Sequence, residues 1–270
     1  MFTTIITDCR DDNARARQTS RIASLLDCNV SFVGVQSDLE AGVQLIDMLD
    51  ATEGKRGLIL VNVAPRGGHT TKWENGTPFG YFWYKETLVV SSVDGFALSA
   101  VKKLSLADNI NLLDTHTAAD TMLDQKFISE VAAKQVPTTQ FRSFDFTPRA
   151  GAFLMLGNSL PTTDYSMEEV AVLPPAIWNI DCFGNCKTTL TLSEIDPEAK
   201  IENRFGTLPF TTRLRDVEDN ESSLVQGSSG INDTRFLEMM TQRGHFAKLH
   251  NAKIGDDVFE DKSYFTSATK

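Results

Sequence analysis

Two short motifs, far apart in the chain, put polar side chains where an apolar run meets a loop. The first is Thr4-Ile5-Ile6-Thr7-Asp8-Cys9-Arg10-Asp11-Asp12, where a strand-like run stops at a carboxylate. The second is Trp178-Asn179-Ile180-Asp181-Cys182-Phe183-Gly184-Asn185-Cys186, with Asp, Phe, Gly and Asn inside five positions. Strand ends that open into loops are common places for a small-molecule site. Each motif also has a structural reading. Asp8 suits a cap on the helix that follows. Asp181 and Asn185 suit a turn built around Gly184.

Other residues carry chemistry of their own. His69 sits in the Gly-rich segment Gly67-Gly68-His69. Its imidazole titrates near neutrality and suits a general base, although a surface-loop histidine has the same appearance. Arg66 and Arg142 suit an anionic ligand or a paired carboxylate. Gly67-Gly68 lacks the Gly-Lys-Ser/Thr ending of a phosphate loop. His116 and His250 read as ordinary surface or sheet residues. Cys9, Cys28, Cys182 and Cys186 read as free thiols. The three-residue gap between Cys182 and Cys186 is not the usual zinc spacing, so no metal is expected.

The elements that must position these groups follow from periodicity. Residues 2–7 read as a buried strand, 12–27 as an amphipathic helix and 29–35 as a second strand. Residues 38–49 repeat the helical pattern, with Asp38 as N-cap, and 57–63 form a strongly apolar third strand. This order implies parallel neighbours and right-handed crossovers. Residues 79–83 and 86–91 read as a hairpin. Asp94-Gly95 leads into a helix, and 127–133 and 145–156 read as further helices. Beyond a linker at 161–175 the helical period fades. Short strands are expected at 176–181, 187–192, 210–214 and 246–250, with a polar loop at 216–232. The reading is an α/β N-terminal domain (1–160) with a mainly parallel sheet. A smaller, all-β, barrel-like C-terminal domain (176–270) follows.

Composition narrows the function classes. The chain has 270 residues, 41% hydrophobic and 23% charged, ordinary for a globular protein with a sizeable core. A net charge of −10 opposes general nucleic-acid binding. No apolar run is long enough for a membrane span. Met1 to Asp12 lacks the pattern of a secretion signal, so a cytoplasmic location is expected.

Taken in order, the motifs resemble those of the S-adenosylmethionine hydroxide adenosyltransferases and their fluorinase and chlorinase relatives. Thr7-Asp8 with Asp11-Asp12 is similar to the family's opening Thr/Ser-Asp, loop, Asp. Val93-Asp94-Gly95-Phe96-Ala97-Leu98 is similar to its Pro-Asn/Asp-Asn-Gly-Leu-Leu segment. Phe141-Arg142-Ser143-Phe144-Asp145 occupies the place of its Phe, variable pair, Arg and Asp/Glu. Ile180-Asp181-Cys182-Phe183-Gly184-Asn185 is close to its Ile-Asp-x-Phe-Gly-Asn. Arg243-Gly244 with Asn251-Ala252 resembles its C-terminal strand pair.

The resemblance implies an enzyme that displaces methionine from C5′ of S-adenosylmethionine, and a homotrimer with sites between subunits. No further cofactor is implied. It assigns Asp8 to the ribose hydroxyls, Asp181 to the methionine ammonium, Phe183 to the purine face and Asn185 to the purine edge. Ser143 lines the reaction centre, Gln242 and Arg243 hold the methionine carboxylate, and the Ala252 backbone touches adenine. The chain departs from the family at its water-handling Asp, Arg and His. Those positions fall on Ala64, Thr71 and Arg142. The halogenase Tyr-Pro-x-Thr pattern and aromatic lid have no clear counterpart, and Cys186-Lys187 follows Asn185 where relatives have an aromatic residue.

The expected activity is hydrolysis of S-adenosylmethionine to adenosine and methionine, with His69 as a replacement base. The alternatives are a binding protein that keeps the adenosine pocket without turnover, and an enzyme acting on another nucleoside or an anionic metabolite through Arg66 and Arg142.

Overall fold

Apolar β-formers alternate with amphipathic helices through the first half of the chain, and that alternation sets the first unit. The computed structural model describes residues 1–64 and 76–264. The chain forms two units, Met1–Val172 and Leu173–Lys270.

The first unit runs β1 (Phe2–Thr7), α1 (Asp12–Leu25), β2 (Asn29–Gly34), α2 (Asp38–Thr52) and β3 (Gly57–Asn62). It continues with β4 (Phe79–Tyr84), β5 (Thr87–Ser92), α3 (Ser99–Lys103), β6 (Asn109–Leu113) and α4 (Thr115–Asp124). It closes with α5 (Glu130–Gln135), α6 (Arg142–Asp145), α7 (Thr147–Met155) and β7 (Thr162–Ser166). The seven strands form one sheet in the order β2-β1-β3-β5-β4-β6-β7. Ile5, Leu58, Leu60, Leu88 and Val90 pack on one face with Ile22, Met122, Phe146 and Phe153. The alternate residues Ile6, Ile59, Val61 and Val89 are also buried and point to the other face. There α2 contacts β1 and β3.

Two expectations change here, the linker and the α2 cap, while the sheet joins the expected parallel part to an antiparallel one. It is parallel over β2, β1, β3 and β5 and antiparallel through β4, β6 and β7. The tight β4–β5 hairpin forces this reversal, with Lys85 left-handed at φ 53°. The segment read as a linker contributes β7, which pairs along β6. The cap of α2 is Ser37, whose side chain accepts from the Glu40 amide, while Glu40 accepts from Gln36 N–H. Asp38 is instead buried and accepts from the Phe96 amide at 2.8 Å.

The second unit contains β8 (Ile177–Ile180), β9 (Cys186–Thr191), β10 (Ile201–Asn203), β11 (Gly206–Leu208), β12 (Phe210–Thr211), β13 (Ser222–Ile231), β14 (Thr234–Thr241) and α8 (Phe246–Leu249). Five strands lie in the order β12-β13-β14-β9-β8, and β10 pairs with β11. Ile177, Leu190, Leu224, Leu237, Met239 and Phe246 form its core. Residues 246–250, read as a strand, form α8, capped by His245. Most of the segment read as a polar loop is β13. Its hydroxyls are paired internally: Ser223 Oγ donates to Pro209 O at 2.8 Å, and in β9 Thr188 Oγ1 donates to Leu237 O at 2.7 Å.

A charged pair is buried in this sheet. Glu238 is 3% exposed and lies 3.6 Å from Lys187 Nζ. Glu238 Oε1 also accepts from the Ser228 amide. The carboxylate occupies the space beside Gly227, where a Cβ would sit 2.4 Å from Oε1.

Candidate functional site

In the first unit one sequence-predicted residue, Asp8, lies at the carboxyl end of a central strand. Asp8 follows β1 and accepts from the Ala64 amide, just beyond β3, at 3.2 Å. Thr7 Oγ1 accepts from Asn62 Nδ2 at 3.3 Å and from the Cys9 amide at 3.1 Å. These contacts bridge β1 to β3. The cap of α1 is Asp11, which accepts from the Ala14 amide at 2.9 Å. The helix therefore does not call on Asp8, and a structural cap does not account for it. Burial raises the Cys9 thiol pKa, and the neighbouring Asp8 charge adds to the rise. That holds Cys9 as a thiol rather than a nucleophilic thiolate.

Ser143 lies in the short α6 and is buried, with no hydrogen-bond partner for its hydroxyl among the described residues. Its neighbour Arg142 is half-buried and stacks its guanidinium 5.6 Å from the centre of the Phe79 ring. Burial lowers the Arg142 pKa. His69, Arg66 and Thr71 lie outside the described residues.

The second unit brings Asp181, Phe183, Asn185 and Ala252 into one compact feature. Asp181 Oδ1 accepts from the Phe183 amide at 2.9 Å and the Asn185 amide at 3.0 Å. Its Oδ2 accepts from Asn185 Nδ2 at 2.9 Å. The backbone closes the same turn, with Gly184 N–H donating to Asp181 O and Asp181 N–H to Asn185 O. Gly184 sits at φ +85°, and a Cβ there would fall 1.9 Å from His245 Nδ1. The turn thus needs glycine twice, for its dihedral and for its closeness to His245. Gly184 O accepts from the Ala247 amide, and Ala247 O accepts from the Ala252 amide.

This arrangement fixes what each side chain offers. One amide hydrogen of Asn185 is held by Asp181. The remaining amide hydrogen and Oδ1 are not used by the turn, although Asn185 as a whole is only 9% exposed. Phe183 is 73% exposed, an unusual position for a phenyl ring and a ready stacking surface. Asp181 keeps one acceptor direction on Oδ2 after its three loop bonds.

Arg243-Gly244 and Asn251-Ala252 do not form the expected strand pair. Arg243 is left-handed at φ 55° in the connection from β14 to α8, and Ala252 follows that helix. The Arg243 guanidinium is exposed and pairs with Asp219 at 3.2 Å. The Gln242 side chain donates to Leu214 O at 3.2 Å, which fastens the connection to the loop before β13.

Sequence reasoning missed His245. It lies against Gly184 and caps α8, with Nδ1 accepting from the Lys248 amide at 3.2 Å. The signal was a His immediately after Arg243-Gly244, obscured by reading the next residues as a strand. The Cys186 thiol, in the core behind the turn, is pushed up to about 12 by burial, with the Asp181 charge adding to the shift. It is therefore not a nucleophile at neutral pH. Among the described residues no group of three His, Cys, Asp or Glu side chains is placed to hold a metal ion.

His250 gives this region a pH dependence. It stacks on Phe246 at 4.2 Å, and burial lowers its pKa below the ordinary 6.5. The unfolded chain therefore binds a proton before the folded one does, so stability falls as pH drops through about 6.5. Replacement His250→Phe is expected to flatten that slope in thermal unfolding measured between mildly acidic and neutral pH. An unchanged slope would assign it to other groups.

No protein-family profile matches the chain, and no curated protein matches its sequence. Solved structures do share its fold. An uncharacterized conserved protein from Thermotoga maritima matches with a TM-score of 0.62 and 15% identity, covering 94% of this chain and 98% of that one. A conserved hypothetical protein from Thermus thermophilus matches with a TM-score of 0.58 and 16% identity, covering 93% and 96%. The class defined is thus an α/β unit followed by a β unit, a pairing these two proteins carry over nearly their full length. Among the described residues no helix is long and apolar enough to cross a membrane.

Proposed function

We propose that the chain binds S-adenosylmethionine through its adenosine part and cleaves the C5′–S bond by attack of water, giving adenosine and methionine. The supporting observation is the 181–185 turn. It holds the Asn185 amide on Asp181, two residues from an exposed Phe183 ring, so a donor, an acceptor and a stacking face belong to one turn. A purine offers the complementary edge and face. Asp8 takes the ribose hydroxyls as an ionised acceptor, and the Oδ2 of Asp181 takes the methionine ammonium. Gln242 and Arg243 take the carboxylate, and the Ala252 backbone lies against adenine.

The chemistry asks little of the protein. The water oxygen bonds to C5′ while the C5′–S electron pair leaves on sulfur. The sulfonium departs as a neutral thioether, so no acid is required. The water proton passes to a base, for which His69 is proposed, and Ser143 orients the water. Alignment and exclusion of bulk water supply the acceleration. In this reading the β11 contact with β13 helps curl the second unit toward a barrel-like form. The protein works in the cytoplasm as a homotrimer, with sites between subunits.

A second reading keeps the pocket and loses turnover. It is favoured by Ala64 and Arg142, which stand where the resembled enzymes have an ionisable Asp and His. Incubation with S-adenosylmethionine, followed by chromatography, separates the two. Wild-type protein is expected to yield equal amounts of adenosine and methionine. Asp8→Ala is expected to bind about tenfold more weakly or worse, as loss of a hydrogen bond to a charged acceptor would give. Binding without product would leave the second reading. Neither binding nor product would overturn both and turn attention to anionic ligands at Arg142.

A further inference from the structure

A different part of the first unit holds a basic cluster that the adenosine site does not use. The chain is acidic overall, at −10, yet α1 carries Arg15, Arg17 and Arg21 against the single acid Asp12. Arg21 and Arg149, from α1 and α7, both approach Asp145. Their Nη1 atoms lie 4.0 and 3.9 Å from the same Oδ1. Those separations allow attraction and are too long for hydrogen bonds. The other carboxylate oxygen accepts from Thr139 Oγ1 at 2.9 Å. Arg149 Nη1 also donates to the Asp145 carbonyl oxygen. Two guanidiniums therefore share one carboxylate and leave a net positive charge. Burial lowers the Arg149 pKa, and the Arg21 charge lowers it further against the pull of Asp145.

Two donors in the cluster lack acceptors. Gln18 precedes Arg21 by three residues on the same helix face. It is 2% exposed, and its Nε2 has no hydrogen-bond partner among the described residues. The same holds for Arg21 Nη1. Buried donors without acceptors are costly, so proteins keep few of them. Arg17 adds positive charge nearby, its guanidinium 4.2 Å from the centre of the Phe144 ring. The Arg21 side chain is 31% exposed overall, while its Nη1 and Gln18 Nε2 are themselves covered, so a ligand reaches them by displacing the Arg21 side chain or water around it.

We propose that Gln18, Arg21 and Arg149 form a binding site for a phosphate-type oxyanion. Guanidinium forks match such oxygens in shape and charge, and the amide of Gln18 supplies a neutral donor. Asp145 keeps the two arginines together in the free protein. The site uses none of the side chains assigned to adenosine binding and stands independently of that reading.

Calorimetric titration of the full chain with inorganic phosphate tests it, with chloride at equal ionic strength as control. Saturable binding to phosphate and none to chloride is expected. Arg21→Gln and Gln18→Leu are each expected to weaken it about tenfold or more. Gln18→Leu removes an unpaired donor at nearly constant volume, so it retains the fold even where an arginine substitution does not. Adenosine 5′-monophosphate identifies the source. Equal affinity means a free-anion pocket, and much tighter binding means the phosphate end of a nucleotide; both sustain the site. Equal heats with chloride, or unchanged phosphate affinity in Gln18→Leu and Arg21→Gln, would mean that water alone satisfies these donors and would overturn the proposal.

Discussion

Asp181→Ala is expected to abolish adenosine binding and to lower the stability of the second unit by about 2–4 kcal/mol. The substitution removes three acceptor contacts at once, leaving the Phe183 amide, the Asn185 amide and Asn185 Nδ2 without partners. Asn185 is 9% exposed, so its side-chain nitrogen gains little from water. The Phe183 amide lies in an exposed part of the turn and recovers a water, which keeps the total below three full penalties. Asp181→Asn separates shape from recognition. Its carboxamide oxygen still accepts from the two backbone amides, but its nitrogen now faces Asn185. The Asn185 amide must rotate to offer oxygen inward, turning its donors toward the ligand. Stability should fall by about 1 kcal/mol or less, while adenosine affinity falls at least about tenfold. Thermal unfolding and calorimetric titration read the two quantities. Parallel small losses in both variants would remove the turn from the binding site.

Glu238→Ala is expected to destabilise the second unit by about 3–5 kcal/mol, the scale for breaking a buried ion pair from one side. It strands Lys187 Nζ and removes the acceptor of the Ser228 amide. Lys187 retains Ser228 and Ser229 hydroxyls at 3.3 and 3.2 Å and an 18% exposed side chain, which places the loss toward the lower end. The double replacement Lys187→Met with Glu238→Leu should be far milder, because removing both charges removes both desolvation costs. Denaturant unfolding of the three variants checks this. A double variant no more stable than Glu238→Ala would show that the pair is not the source of the loss.

Much of the first unit was legible in the sequence because its elements carry strong periods. Ile5, Ile6, Leu58 to Val61, and Leu88 to Val90 are buried on both faces, and such continuous apolar runs read as central strands. Edge strands gave no such signal. In β7 every residue but Tyr165 is exposed, so Thr162–Ser166 looked like a linker. The strand β13 was hidden for a different reason. Ser222, Ser223, Ser228 and Ser229 read as loop, yet Ser223 and Ser229 are buried, and the hydroxyl of Ser223 is paired within the sheet. Composition cannot reveal a strand whose polar groups find partners only in three dimensions. The α8 error was local: Phe246 and Ala247 face inward, and four residues are too few to show a helical period.

The candidate site was legible to a similar degree. The spacing of Asp181, Gly184 and Asn185 pointed both to a turn and to a ligand site, and the structure makes the turn without consuming every polar atom. At Asp8, the competing reading as a helix cap failed because Asp11 already fills that role. His245 escaped because its proximity to Gly184 spans sixty-one positions in the chain and no local pattern encodes it.

The 181–185 turn also bears on the thermodynamics of recognition. Five hydrogen bonds close within five residues, and a left-handed glycine locks the path between them. Little conformational entropy is therefore left in this segment for a ligand to remove. Under the proposed binding role, a partner meeting Phe183 and Asn185 would find a backbone already ordered, and more of the contact energy would be retained as affinity. The same rigidity limits tolerance. A ligand whose polar edge is displaced by an ångström or so cannot draw the turn after it, so discrimination here rests on fixed geometry rather than on adaptive closure.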